Sequence, residues 1–362
     1  MKNTTRKLFN AYIDRIAGIN GVAREDASAK FAVAPVVEQR LVEKIRQSSE
    51  FLSQINMIGV DQQEDVTLGL GVTRPLAGRT NTAAGNRRTP TDPTDSNQIN
   101  TYRCVQTNFD WARKYALIDQ WAHRPDFQII MSSAIQKQEG RDHIMIGWNG
   151  TSIAAATDRA ANPLLQDVNQ GWLYKIRTNA PERRMESGGV KPTVRNNQGV
   201  ITTQGAIYVD ASGTIGVDVD YANLDALVYD AVQLLAEWHR DDTDLVAIIG
   251  RDLLHDKFLN VINAAGDKAT EMEARDRILT LPKMVGGKRA IVVPFFPANA
   301  VLVTSLDNLS IYLQNNTRRR MLKDEPELDQ IANYESVNVA YVIEDYERVA
   351  LVENIVMGKK PA

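Results

Sequence analysis

Four histidines and one cysteine are the scarcest reactive side chains of the sequence. Any chemistry must therefore be read from what surrounds them. His239, Asp241, Asp242 and Asp244 put an imidazole and three carboxylates into one short stretch, a donor set that could hold a divalent cation. The plainer reading is a solvated loop between a helix and a strand, and the charge run favours it. His239-Arg240-Asp241 spells the start of a kinase catalytic loop. The glycine-rich loop, the metal-binding Asp-Phe-Gly and the asparagine in register are missing. Ile249-Gly250-Arg251 stands between a strand pattern and a helix pattern, but one glycine does not make a dinucleotide fingerprint. Asp142-His143 falls on a helix surface, where a polar pair is ordinary. Cys104, on a strand, reads as an inert packed thiol, and alone it excludes an internal disulfide or a cysteine zinc site. Arg318-Arg319-Arg320 is the densest basic run. It suits a phosphate or carboxylate contact, or a solvated cluster neutralised by Asp324, Glu325, Glu327 and Asp329. No Walker loop, zincin helix or nucleophile elbow is present. The expectation is no enzyme, with no catalytic, metal or cofactor-binding residues and no cofactor.

The elements that would carry such residues describe a different kind of molecule. Residues 4 to 20 predict a helix with Leu8, Tyr12, Ile13 and Ile16 on one face, and Ala23 to Ala34 reads as a small-residue linker. Pro35 opens a second helix. Glu64 to Thr73 alternates as a half-exposed strand, and Tyr102 to Trp111 reads as another. Between them, Arg74 to Asn100 contains no aromatic residue but three prolines and Arg74, Arg79, Arg87 and Arg88. A hairpin tip that long, with nothing to bury, is unusual in a compact domain and asks for a neighbouring chain or stays disordered. Residues 125 to 147 predict a strut helix of about 34 Å, with Ile130, Met131, Ala134 and Ile135 on its apolar side and Gly140 as a weak point. Ala180 to Gly216 reads as loop between lobes. Helix, strand, helix, strand patterns from Asn223 to Pro294 give a small α/β lobe. Val337, Val339, Tyr341 and Ile343 alternate, and Val349, Leu351 and Ile355 follow, which reads as a terminal hairpin.

The chain has 362 residues, 43% apolar and 24% charged, with net charge −3. It exceeds what one core usually supports and predicts at least two lobes. The mildly acidic balance excludes a global basic field for nucleic acid. The most apolar stretch, Ile291 to Val303, is too short for a membrane span and contains prolines. The basic amphipathic start mimics a presequence, but Asp14, Glu25 and Asp26 argue against one, and it has no secretory apolar region. The glycosylation sequons, such as Asn149-Gly150-Thr151, are therefore chance matches in a protein made inside a cell.

Asp158-Arg159-Ala160-Ala161-Asn162-Pro163-Leu164-Leu165-Gln166-Asp167-Val168, followed by Gly171-Trp172-Leu173, strongly resembles the major capsid proteins of temperate contractile-tailed phages of the peduovirus type. So do Asn308-Leu309-Ser310-Ile311-Tyr312, Asn333-Tyr334-Glu335-Ser336, Val342-Ile343-Glu344-Asp345-Tyr346 and Phe9-Asn10-Ala11-Tyr12. The resemblance spans almost the whole chain and departs mainly around Gly188 to Val217.

It implies an α+β fold of the Hong Kong 97 type. Residues 1–31 would be a scaffold-like segment, either trimmed near Phe31 and Ala32 or kept as a clasp, and 32–58 an N-terminal arm. Residues 59–112 would be the extended E-loop hairpin, with Arg74, Arg79, Arg87 and Arg88 at an intersubunit contact. Residues 113–220 would be a peripheral domain whose spine helix packs through Ile130, Ala134 and Ile135. Residues 221–305 would be the axial domain, and 306–362 a return to the peripheral sheet. It further implies hexamers and pentamers of an icosahedral shell, built in the bacterial cytoplasm with a scaffolding protein that doubles as protease and with a portal. The packaged DNA would be only a non-specific neighbour. The competing readings are a scaffold or decoration protein of the same virion, and an α/β enzyme with an unrecognised site.

Overall fold

The computed structural model describes residues 1–66, 77, 79, 87–90, 101–121, 127–196, 198–264 and 283–361. Helix α1 (Asn3–Asn20) ends at Gly21, whose φ of 67° closes the turn. A two-residue strand β1 (Phe31–Ala32) follows, then α2 (Pro35–Arg46), with its proline in the first turn, and α3 (Glu50–Gln54). Next come β2 (Asn56–Val60) and β3 (Glu64–Val66), then β4 (Thr101–Arg103), β5 (Val105–Asn108) and β6 (Trp111–Lys114). Helix α4 (Tyr115–Trp121) leads to α5 (Phe127–Asn149), the predicted strut, continuous through Gly140. The loop to α6 (Trp172–Asn179) is followed by β7 (Arg184–Met185), β8 (Val194–Arg195), β9 (Ile201–Thr203) and β10 (Ile207–Val209). Helix α7 (Leu224–Ala231) begins where the Asn223 side chain accepts from the Ala226 amide, as an N-cap residue does. The chain then forms β11 (Val246–Ile249), α8 (Arg251–Ala264), β12 (Met284–Val285), β13 (Lys288–Ile291) and β14 (Val301–Thr304). It closes with β15 (Leu309–Gln314), β16 (Arg319–Glu325), β17 (Gln330–Ile343), β18 (Ala350–Val352) and β19 (Ile355–Met357).

Two sheets organise these elements. In the first, the long strand β17 is central. One edge carries β15 and β16, the other β5 and β6, and β1 and β2 lie outside. On the β15/β16 edge, Leu313 faces Val339 but Arg319 faces Ser336, so the segment between them bulges out of the ladder. Val337, Val339, Tyr341 and Ile343 point to one side, into a core shared with Ile144, Ile146, Trp148, Trp172 and Leu173 of α5 and α6. Alternation sends Ala340 and Val342 to the other side, against Tyr102, Cys104 and Tyr312. The second sheet runs β12-β13-β11-β14-β18-β7, and α7 packs on it through Leu224, Leu227, Val228 and Ala231. Ile248, Leu302 and Leu351, on its opposite face, join the shared core.

Two expectations are corrected here. The last strands are not a hairpin: β17 belongs to the first sheet, whereas β18 pairs with β14 in the second. Period-two alternation identifies a strand but not its partner. Ala180 to Gly216 is not a free loop between lobes, because β7 pairs with β18 and β10 with β19. The helix that opens at Pro35 ends at Arg46, and Leu52 belongs to the separate α3.

Candidate assembly surfaces and a buried charge cluster

The base of the long hairpin is built: β3 pairs antiparallel with β4, Glu64 facing Arg103 across the ladder. At the tip, Arg79, Arg87 and Arg88 are exposed, while Arg74 lies outside the described residues. Phe31 and Ala32 do not sit in an accessible linker, which corrects the reading of Ala23 to Ala34. They pair with Arg320 and Arg319, and Val33 donates its amide to the Arg318 carbonyl at 3.0 Å. Ala27, Phe31 and Val33 are buried with Ile16, Ala17, Tyr115, Ile118, Leu322 and Ile331. Helix α1 thus covers Ile16 and, in part, Tyr12 and Ile13 on its own chain, assisted by Arg6, 3.2 Å from Asp324, while Leu8 at the start of that stripe stays exposed.

The expected packing of α5 is also corrected. Ala134 is exposed and Ile135 half-buried, both lining a wide groove against Val105, Phe109 and Trp111, and the Ile130 side chain lies outside the described residues. On the same side of the helix, further along, His143 reaches Tyr341 of β17 and Glu139 reaches Arg318 in the adjacent bulge. Two glycines let neighbouring elements approach α5 closely. At Gly140 an added Cβ would stand 2.5 Å from Ser48 Oγ, and at Gly147 it would stand 2.3 Å from the Trp172 ring. At Gly147 the indole leaves no room for a Cβ, whereas at Gly140 the Ser48 hydroxyl would have to turn aside.

The residue that sequence reasoning placed wrongly is Arg318. It is not in a solvated cluster but wholly buried, in the bulge of the β15/β16 edge. Its Nη1 donates to Glu335 at 2.5 Å and its Nη2 to Glu139 at 3.0 Å, so one guanidinium joins the sheet to α5. Burial alone would lower the Arg318 pKa, but Glu139 and Glu335 outweigh it and hold the group charged. For Glu335, burial opposes ionisation, yet Arg318 and Arg320 keep its pKa below the usual carboxylate range. Burial dominates at Glu139 and at the nearby Glu38, and both are raised. His143 beside them is fully buried, 3.1 Å from the Tyr341 hydroxyl. Burial and then the Arg318 charge push its pKa down to about 3, so its imidazole is neutral. A buried arginine with flanking carboxylates leaves no signal in a sequence except the spacing of an exposed-looking basic run.

None of the other candidates assembles into chemistry. His239 bridges Asp242 at 2.9 Å and Asp345 at 3.2 Å, and Arg348 reaches Asp242, Asp244 and Asp307. This is a charge-paired clasp between the 239–244 loop and the 345–348 turn. Among the described residues no metal-binding group of histidine, cysteine, aspartate and glutamate forms. The Cys104 thiol is buried and its pKa is raised to about 11 by that burial, which keeps it protonated. No described helix is long and apolar enough to cross a membrane.

An α+β chain with two sheets, a spine helix, a paired hairpin base and, among the described residues, no catalytic constellation has the makings of a shell-forming subunit of the Hong Kong 97 type. The comparisons agree and are more specific: residues 8–355 match the family described as phage major capsid protein, P2 family, and the chain belongs to that family. It is 43% identical over 359 residues to a capsid protein of Escherichia phage P2, covering 99% of this chain and 96% of that one. It is 40% identical over 362 residues to the major capsid protein of Serratia phage KSP20, covering 99% of each. Among solved structures it is similar to a chain of the satellite phage P4 procapsid that includes the size determination (Sid) protein. The TM-score there is 0.77 at 40% identity, over 99% of both chains. This is a major capsid protein of a tailed phage, a structural component of the virion and not an enzyme.

Proposed function

We propose that the chain forms hexamers and pentamers of an icosahedral shell around double-stranded DNA. The second-sheet lobe (221–305) would lie toward the capsomer centre and the α5 lobe toward its rim. The observation that carries this is the hairpin. A basic tip without aromatic residues has no core of its own, and its Arg79, Arg87 and Arg88 are exposed, so burial must come from an adjacent subunit. Arg74 belongs to the same proposed contact. Exposed Tyr229, Trp238 and Met284 on the second lobe supply the kind of large side chains that interfaces bury.

Assembly would occur in the bacterial cytoplasm, with a scaffolding protein that doubles as protease and a portal for DNA entry. Residues 1–31 would serve the precursor shell and be trimmed near Phe31-Ala32. Because Phe31 is buried and paired in that two-residue strand while Ala32 is exposed, cutting requires β1 to leave β16 and Phe31 to leave its pocket first. Co-expression with the cognate scaffolding protein, followed by negative-stain microscopy, tests the shell. Closed particles or ring-shaped capsomers are expected, and a monodisperse monomer overturns it. Intact-mass measurement on DNA-filled particles tests trimming: a subunit that still starts at Met1 or Lys2 excludes it.

A further inference from the structure

We propose that the Arg318 cluster is a proton-dependent joint between α2 and the body of the molecule. While the cluster holds one proton, α2 stays seated on α5 and the first sheet. When that proton leaves, α2 loosens. The sequence of α2 sets the problem. Glu38, Leu41, Val42 and Ile45 stand at i, i+3, i+4 and i+7, on one helical face. Three of them are the aliphatic side chains that a buried face takes, and the fourth is an acid. Glu38 and Ile45 are the two buried residues of α2, whereas Val36, Arg40, Glu43 and Lys44 are exposed. A carboxylate at a core position is costly when it is ionised and unpaired.

The surroundings do not balance it. Glu38 of α2, Glu139 of α5 and Glu335 of β17 are all buried, as is Arg318. The Arg318 guanidinium is already divided between Glu335 at 2.5 Å and Glu139 at 3.0 Å. Arg320 is the second cation of the cluster, 3.7 Å from Glu335 and fixed by its Nε on Asn333 at 2.7 Å. Three carboxylates against two guanidiniums leave one negative charge in excess, and one proton removes it. Glu38 and Glu139 compete for that proton, since burial outweighs Arg318 at both and raises both. No other group settles the balance. His143 is neutral, and Asp142 turns to Gln138 at 2.7 Å. Arg15, Lys44 and Lys137 line the open trough beside Arg320 and are exposed, where solvent screens them.

Helix α2 is the part that yields. α5 and β17 are held in the main core by Ile144, Ile146, Trp148, Val337, Val339 and Tyr341, whereas α2 adds only Ile45 in full and Leu41 and Val42 in part. Lifting α2 takes Glu38 to water and leaves two carboxylates against two guanidiniums. Whichever acid carried the proton, lifting then releases it. The lifted state titrates at the ordinary carboxylate value of about 4.3 and the seated state at a raised one. Seating is therefore strongest below the ordinary value and fades as pH rises through the raised value. Between the two, the opening constant of α2 rises by up to about tenfold per pH unit, and above the raised value it levels off.

Hydrogen exchange of the full, unassembled chain tests this, read by mass spectrometry on peptides from α2 and from β17. Rates corrected for the intrinsic pH dependence of amide exchange are followed from about pH 4 to about pH 9. The α2 peptides should lose protection by up to about tenfold per pH unit and then level off, while β17 stays protected. Glu38→Gln leaves a balanced cluster and should flatten the α2 profile. Glu43→Gln removes the same charge from the exposed side of the same helix and should leave the profile unchanged. A flat profile in the unaltered chain overturns the proposal, as do equal effects of the two variants. Parallel loss of protection in α2 and β17 also overturns it, because the sheet would then be opening with the helix. The measurement needs no shell, so its outcome is independent of the capsid reading.

Discussion

Arg318 shows what a single side chain does in this fold and why it was illegible. In the sequence it is one of three consecutive arginines followed by acids, the pattern of a solvated surface. In the structure Arg319 and Arg320 sit in the ladder, and the bulge before them turns Arg318 inward to Glu139 and Glu335. A bulge is set by pairing between distant strands, which no local pattern reports. Removing the cation alone strands two buried carboxylates. Arg318→Ala should therefore destabilise the unassembled chain by about 3–5 kcal/mol in urea unfolding. Arg318→Met with Glu139→Gln and Glu335→Gln should recover most of that loss, because the uncompensated charge goes with its partners. If the triple variant is no better than Arg318→Ala, the cost lies in packing and not in charge.

Glu353, also buried, makes a second prediction at the β7 edge of the second sheet. It accepts from Arg177 Nη2 of α6 at 2.6 Å and from Arg184 Nε of β7 at 2.7 Å. Burial raises its pKa, but the two arginines outweigh that and the net shift is downward. A depressed folded-state pKa adds stability at every pH above the unfolded carboxylate value of about 4.3. That stability fades as pH falls through the folded value. Glu353→Gln should thus lower the melting temperature at neutral pH and make little difference in acid. Parallel melting curves of equal separation at all pH values would contradict it.

At the scale of elements, the strut helix, the second helix and its proline start, the α7 start at Asn223 and the strands of the α/β lobe could all be read from periodicity and caps. What periodicity did not reveal was how far along α5 the helix is seated. Apolar residues at 130, 134 and 135 were the visible stripe, yet the helix is seated by its glycines and by Glu139 and His143. The approach of Trp172 to Gly147 is a tertiary fact, invisible until α6 is placed. Gly147→Ala should force the indole aside and cost about 1–3 kcal/mol, as overpacking does. Ser48, by contrast, offers only a hydroxyl to a Cβ at position 140, so Gly140→Ala should cost less. Thermal unfolding of both variants ranks them, and the reverse order would show that α5 is pinned by its middle.

At the scale of the whole molecule, the long words from Asp158 to Val168 and around Tyr312 revealed the family, and the two-sheet structure supplies what the family resemblance could not: which contacts are internal and which are left over. The β3–β4 base of the hairpin is satisfied within the chain, through the ladder, Arg103 3.2 Å from Glu64, and the Tyr102 ring stacked edge-on against Tyr312. The tip has no such anchorage in the residues described: Pro90 and Arg87 to Thr89 are exposed along with Ala77 and Arg79. Stability and assembly should therefore separate at this point in the chain. Deleting residues 78–92 removes the exposed Arg79 and residues 87–90 and, among the described residues, none of the core clusters, so the unassembled chain should keep its melting temperature and its circular dichroism. The same deletion removes Arg79, Arg87 and Arg88, and co-expression with the scaffolding protein should then yield no closed shells. Single Arg→Ala changes should be graded and salt-sensitive, since exposed ion pairs are worth only about 0.2–1 kcal/mol each and a shell repeats them many times. Normal particles from the deletion variant would show that the tip is a solvated loop and that the second lobe carries the assembly contacts.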